Sequence, residues 1–547
     1  MEPPSPSPNP SWAVKLSLRI VGLLIVAVVA VQALFNVDPA SSRLEAAAPW
    51  LGVSAVLLFV SYLAELPAVA RWRVSRLAGR GVLAPLGPTA LRIERGVHLM
   101  TYVVIVLAAA AGRQLVAGYD PGNIFPDTIG YVRVAEQPLL SAGFLWGERP
   151  FTLPLLLKIL GINLTNYKDT NVLSAFGRTQ SWIGIVAWSV LAAGVALNIR
   201  QSMLKQLGFL LVMLVGLALH VSQWDSLLLS ESLSASLIVL GIGLVLLWLR
   251  ARERTEPTSP WTSRALLGLL AVTTFLYCFV RETNGVFVGI LGAGLAIVAL
   301  VRLARRRQAR NLGLAAVLLL AFFLLQQAGM NASGRWLAPW VGMFQQRVLA
   351  QPAAHTFMVR TEGMPLGDWH RDLDVGMLRT EYYRALLQRD DARPFMEWMK
   401  RESRGAYARY LLAEPGQTLL EPVEHVGQLV NPVSTEYRSE GAATPGWLRL
   451  VTLLTFPTDP LVLAVLVLCA AAVSIAAWRR AGLGRHWWVV AGLIAMTAPM
   501  MYVIWYADTI EVERHAFELA LRLRLALTMT VLWGVSNLNP RNEAGSQ

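Results

Sequence analysis

Long apolar runs, each bracketed by short polar or basic connectors, recur along most of this chain, and they set its fold. A helix needs roughly 17 to 25 largely apolar residues to cross about 30 Å of hydrocarbon. Runs of about that length lie at 20–36, 50–69, 97–117, 182–198, 206–221, 227–249, 265–280, 285–301, 311–327, 460–478, 487–506 and 517–536. Lipid offers the backbone no hydrogen-bond partner, so each is expected to be a helix that satisfies itself. The pattern predicts an all-α polytopic membrane protein with about twelve transmembrane helices. Composition agrees, because 55% hydrophobic and only 15% charged residues, with a mean hydropathy of +0.48, do not close into one water-soluble core.

Between the runs, residues 1–15 are rich in Pro and Ser and are expected to form a disordered tail. Residues 16–328 form an N-terminal bundle that includes a long polar loop at 118–181, and 460–538 return to the membrane before a short tail at 539–547. Residues 329–459 have a mixed composition and predict a small, mainly helical domain. Within it, Arg379 to Leu387 and Phe395 to Leu412 show helical periodicity, with Tyr382, Tyr383, Leu386, Trp398, Tyr407 and Tyr410 on apolar or aromatic faces. The stretch 144–158 is too short to cross and amphipathic enough for a juxtamembrane, interfacial helix.

The net charge of +13 is spread over connectors instead of gathered on one soluble face. Arg71 to Arg95, Arg250 to Arg264, Arg302 to Arg310, and Arg479, Arg480 and Arg485 all fall on one side of an alternating topology. Positive connectors face the cytoplasm, so both termini are expected there, in a bacterial-type inner (plasma) membrane. Anionic lipid accounts for the basic excess without nucleic acid. Cys278 and Cys469 both sit in apolar runs, so neither a disulfide framework nor a thiolate metal site is predicted. His355, His370 and His425 show no ligand spacing, no metal site is assigned, and the need for a divalent metal stays open.

The same topology sends the chemically interesting residues to the outer face. Asp127 lies in Phe125-Pro126-Asp127-Thr128-Ile129-Gly130-Tyr131, just past an apolar run. It is either the cap, with Thr128, of a helix starting near Ile129, or a carboxylate set out for chemistry. Glu231 follows Ser230 at the mouth of another run, where it either complements the helix dipole or binds hydroxyls or an arginine. Trp224 and Asp225 lie just before it; Arg281 and Glu282 follow a run; Arg514 and His515 precede the last run. Arg522 and Arg524 stand inside that last run, where a lipid-facing charge costs roughly 2.5 to 3.5 kcal/mol or more. Two residues apart, they do not share a helical face, so at most one is expected to point inward.

An outer loop carrying Asp127 in this Pro-Asp-Thr-Ile-Gly-Tyr setting, followed by a juxtamembrane helix and a Pro-rich interfacial stretch, resembles the GT-C class of integral-membrane glycosyltransferases. That class includes the protein O-mannosyltransferases and the bacterial lipid A aminoarabinose transferase. The resemblance covers the chain up to about residue 310. It departs in two respects: Thr128 follows Asp127 where many members pair two acids, and two spans precede the motif where many members have one. The resemblance implies a GT-C-like bundle and a sugar donor linked to polyprenyl phosphate. Asp127 would be the general base in one inverting step, with Arg281, Arg514, His515, Arg522 and Arg524 as candidates for the donor phosphate. Tyr131, Trp224, Asp225, Glu231 and Glu282 are candidates for contact with sugar or acceptor, the acceptor being a glycan, lipid or protein hydroxyl. A transporter or flippase for a lipid-linked sugar, and an O-antigen polymerase or ligase, are the competing expectations.

Overall fold

Every regular element among the described residues is helical, as expected for apolar runs that must satisfy their own backbone. The computed structural model describes residues 88–119, 124–253, 260–377, 379–431, 445–481, 484–507 and 512–538. The predicted runs at 20–36 and 50–69, the basic residues Arg71 to Arg80, and both tails lie outside the described residues.

In chain order the helices used below are α1 Pro88–Tyr119, α2 Pro126–Glu136, α3 Thr152–Ile159, α4 Thr170–Leu197, α5 Ser202–Leu217 and α6 Glu231–Glu253. There follow α7 Pro260–Cys278, α8 Glu282–Ala304 and α9 Arg310–Ser333; then α10 Arg379–Leu387, α11 Arg393–Arg401, α12 Ser403–Ala413, α13 Pro415–Glu424 and α14 Gly446–Thr455. The chain closes with α15 Pro460–Ala481, α16 Trp487–Ala495, α17 Thr497–Ala507 and α18 Val512–Leu538.

Among the described residues, nine helices are long and apolar enough to cross a membrane, with α16 and α17 forming one of them. The expected run at 206–221 is different: α5 and the segment Leu219–Ser226 meet at a bend of 56°. Ten of the twelve predicted runs fall on described residues, and there the structure has nine spans, or ten with the bent pair.

Helix α18 is the hub. Of its apolar window 78% is buried inside the protein, against 17% for α15, which packs on it from one side. Helices α4 and α6 cross closely enough that a Cβ on Gly243 would sit 2.7 Å from the Leu191 amide nitrogen, so glycine there sets their approach. The juxtamembrane stretch does not simply lie in the interface. Leu153 and Leu157 of α3 are fully enclosed in a core shared with α2 and α7, and the free end is marked by Ile159.

The segment after α9 builds its own aromatic core from Trp369, Tyr382, Phe395, Trp398, Tyr407 and Tyr410. Its predicted helix at Arg379 to Leu387 is α10; the predicted run Phe395 to Leu412 is instead two helices, α11 and α12, meeting at Glu402. Leu386, Trp398 and Tyr407 are buried as their periodicity implied.

Candidate functional site

Asp127 is not a cap. Helix α2 begins at Pro126, whose fixed φ suits a first helical position, and the backbone N–H of Phe125 donates to the Thr128 hydroxyl at 3.1 Å. Asp127 therefore lies within the first turn, where the helix dipole favours a carboxylate. Its side chain is turned outward to two arginines, accepting from Arg149 at 2.5 Å and from Arg514 at 3.2 Å. Burial pushes this carboxyl up, but the Arg149 and Arg514 guanidiniums outweigh burial and hold it below its ordinary value. Tyr131, one turn further along α2, donates its hydroxyl to Ser230 at 3.2 Å and lies under the Arg149 guanidinium at 5.3 Å. Burial raises the Tyr131 phenol, so it remains a donor at neutral pH.

Below Asp127 the charges continue into the bundle. Glu231, fully buried, accepts from Arg514 and lies 3.4 Å from Arg281. His515 Nδ1 lies 2.6 Å from the Arg281 guanidinium. One turn deeper, Glu518 lies 3.8 Å from Arg281 and 3.1 Å from Arg522, and accepts hydroxyls from Ser234 and, at 2.9 Å, from Tyr277. Asn284 of α8 ties this layer to α6 through the Ser234 hydroxyl and to α7 through the Tyr277 carbonyl. Glu282 sits at the rim beside Arg335 at 3.4 Å. The site is thus a stack of carboxylates and guanidiniums, part-exposed at Asp127 and Arg149 and closed at Glu231 and Glu518.

The connection from Trp224 to Ser230 positions Glu231, and it is fixed from several sides. Thr128 donates to the Leu228 carbonyl, and the Gln180 amide donates to the carbonyls of Asp225 and Leu227. Asp225 itself is outside the charge stack: fully buried, it takes two hydrogen bonds from Arg113 of α1 at 2.5 and 2.9 Å and one from Ser232 at 2.5 Å. Arg113 lies flat on α4 because residue 184 is glycine; a Cβ there would be 2.5 Å from the guanidinium carbon. Trp224 is also withdrawn, 1% exposed, tilted against Phe517 and bonded to the His220 carbonyl. Neither residue presents a surface for sugar, because the connection turns inward and packs them.

Arg522 and Arg524 are both buried, contrary to the expectation that only one would point inward. Helix α18 is enclosed on most sides, so two opposed faces are both interior. Arg522 joins Glu518 and Tyr277, whereas Arg524 turns to the other face and donates to the carbonyls of Val430 and Pro457 and to Asn431. Arg524 fastens the chain that enters α15 and is remote from Asp127 in its bonding.

Arg149, Glu518, Tyr277 and Arg335 were missed from sequence. Glu518 had a legible signal: Arg514, Glu518 and Arg522 recur every four residues in an apolar helix and so share one face. Arg149 had none, since its approach to Asp127 depends on how α2 and α3 fold back on each other. Among the described residues no group of three or more His, Cys, Asp or Glu is placed to hold a metal ion. Comparison with protein-family models, with curated proteins and with solved structures finds no match to this chain.

Tyr131→Phe tests the small contacts around this site. Losing the hydroxyl bond to Ser230 should cost about 1 kcal/mol in unfolding free energy, read from a denaturation midpoint in detergent; an unchanged midpoint would remove Tyr131 from the support of Glu231.

Proposed function

We propose that this chain is a GT-C-type integral-membrane glycosyltransferase, which moves a sugar from a polyprenyl-phosphate donor to an acceptor hydroxyl. In this reading the charged end of the bundle faces away from the cytoplasm. The opposite end carries Arg250, Arg252, Arg302 and Arg310, as connectors retained in the cytoplasm do. The observation that carries the proposal is a part-exposed carboxylate, Asp127, held between Arg149 and Arg514 at the mouth of a buried charge stack. Inside the stack, Glu231 Oε2 and Asn284 Oδ1 are buried without a hydrogen-bond partner among the described residues, as acceptors awaiting a ligand donor are.

The acceptor oxygen attacks the anomeric carbon while its proton passes to an Asp127 oxygen, and the bond from that carbon to the phosphate oxygen breaks with inversion. The electron pair leaves on the lipid phosphate, where Arg149, Arg514 and Arg281 meet the growing negative charge in a site of low dielectric. A carboxylate already paired with two guanidiniums is a weak base. A donor phosphate that takes over those guanidinium bonds restores its basicity, so donor binding arms the base.

That sequence has a pH signature. A carboxyl with a depressed pKa is charged above that pKa and is lost as a base only as pH falls through it. The acid limb of kcat/KM, which reports the donor-free protein, should lie below the ordinary value of 3.8 for Asp127. The limb of kcat, which reports the loaded protein, should lie higher. A kcat/KM limb above the ordinary carboxylate range of about 3.9 to 4.3 would assign the base to another group. Mass spectrometry of lipid that copurifies with the full chain in mild detergent should return a polyprenyl-phosphate sugar; phospholipid alone would count against the donor class.

The bend between α5 and Leu219–Ser226 favours a second reading, since carriers use broken spans. The break comes at the end of α5, roughly 24 Å along at 1.5 Å per residue, which is near the charged end and not at mid-membrane. A carrier would move labelled lipid-linked sugar between leaflets of a vesicle without breaking its sugar-phosphate bond.

A further inference from the structure

Two short helices in the segment that follows α9 are amphipathic the wrong way round for water. In α13, Thr418 and Glu421 face the protein, lining a cleft with Arg347, Tyr407 and Tyr506, while Gln417 and Glu424 are exposed at the flanks. Its apolar side chains face out instead: Leu419 is 59% exposed, Leu420 58% and Val423 52%. Helix α14 repeats the inversion in part, with Leu448 buried and Arg449 exposed beside its outer leucines. Its Thr452 hydroxyl accepts from the Leu219 amide and its Thr455 hydroxyl donates to the Leu214 carbonyl, while Leu450 is 56% exposed, and Leu453 and Leu454 are each 70% exposed. A helix bathed in water puts its polar side out, so this arrangement is stable only where the surroundings are less polar than the protein face.

The depth of both helices says what those surroundings are. Tyr502 and Tyr506 of the spanning helix Trp487–Ala507 donate to the carbonyls of Leu419 and Thr418, at 2.8 and 2.9 Å. Tyr502 lies about 7.5 Å inside the end of that helix at 1.5 Å per residue, so α13 is level with its last turns. Helix α14 holds Leu214, inside the end of α5, and is level with the last turn of that span. Both short helices therefore sit at the height where hydrocarbon meets headgroups, on the charged end of the bundle. Arg524 ties the chain near both of them, through the carbonyls of Val430 and Pro457, to α18.

We propose that α13 and α14 are monotopic anchors, their leucine faces seated in the bilayer boundary on the side of the charge stack. The occupant of these faces is lipid. The aromatic-cored domain that precedes α13 is then fastened to the membrane surface beside the mouth at Asp127, whatever reaction occurs there; the inference does not depend on the proposed chemistry.

Spin labels test this in the full chain reconstituted in nanodiscs, with Cys278 and Cys469 replaced by alanine. Leu420→Cys and Leu453→Cys are the probes, Leu468→Cys on α15 is the lipid reference, and Leu387→Cys on α10 is the water reference. Oxygen partitions into hydrocarbon and a nickel chelate into water. The ratio of oxygen to nickel accessibility at 420 and 453 should be severalfold above that at 387 and approach that at 468. Ratios at 420 and 453 equal to that at 387 would place the helices in water and overturn the proposal. Labels at both positions shielded from oxygen and nickel alike would mean that protein, a second copy or residues outside the described set, covers these faces, and would overturn it equally.

Discussion

Asp127→Asn should lower sugar transfer by about 10²- to 10⁴-fold, the usual worth of a general base, while the purified variant still carries its lipid-linked sugar. Asparagine keeps the shape of the side chain and an acceptor oxygen for Arg149 or Arg514, but it takes no proton. Removing the negative charge also frees the two guanidiniums for the donor phosphate, so donor retention should be unchanged or increased. Arg149 is 28% exposed and the buried Arg514 keeps Glu231 as its partner, so the substitution does not leave a fully buried charge unpaired. Transfer at the wild-type rate would sink the base assignment. Loss of transfer together with loss of the bound lipid would instead make Asp127 a residue that positions the arginines.

Arg113→Met should be the most costly single substitution for stability, at about 3 to 5 kcal/mol. It leaves the Asp225 carboxylate fully buried with Ser232 as its one remaining side-chain donor among the described residues. Adding Asp225→Asn should recover much of that loss, because the stranded charge is gone even though the pair is not restored. Denaturation midpoints of the single and double variants check this; a single variant within about 1 kcal/mol of wild type would show that the pair contributes no more than a surface one. The connection held by this pair leads straight to Glu231, so Arg113→Met should also weaken retention of the lipid-linked sugar without touching it.

Much of the bundle was legible because membrane insertion is a local requirement. A run such as 285–301 or 311–327 must be helical wherever it packs, since no other partner exists for its backbone, and α8 and α9 follow those runs closely. The run at 206–221 was legible as apolar but not as bent, because the groups on either side of the break at Ala218, the Gly216 carbonyl and Asp225, are both held by Arg113, a residue about a hundred positions earlier. For the same reason Trp224 and Asp225 read as site residues and proved to be packing. Local sequence records that a polar group sits near a helix mouth and not which way the connection turns.

Sequence by itself determined that this is an all-helical membrane protein whose charged residues gather at the ends of its spans, and that Asp127, Glu231, Arg281 and Arg514 deserve notice among them. Those conclusions follow from hydrophobic length and charge placement, both of which are summed along the chain. Tertiary structure alone decided that Asp127 and Arg514, nearly four hundred residues apart, meet at 3.2 Å, that Arg149 completes the clamp, and that Arg524 belongs to a different face. Coulomb attraction falls with distance in space and is indifferent to distance along the chain. Only the packing of α2, α3 and α18 against one another sets which carboxylate each guanidinium finds.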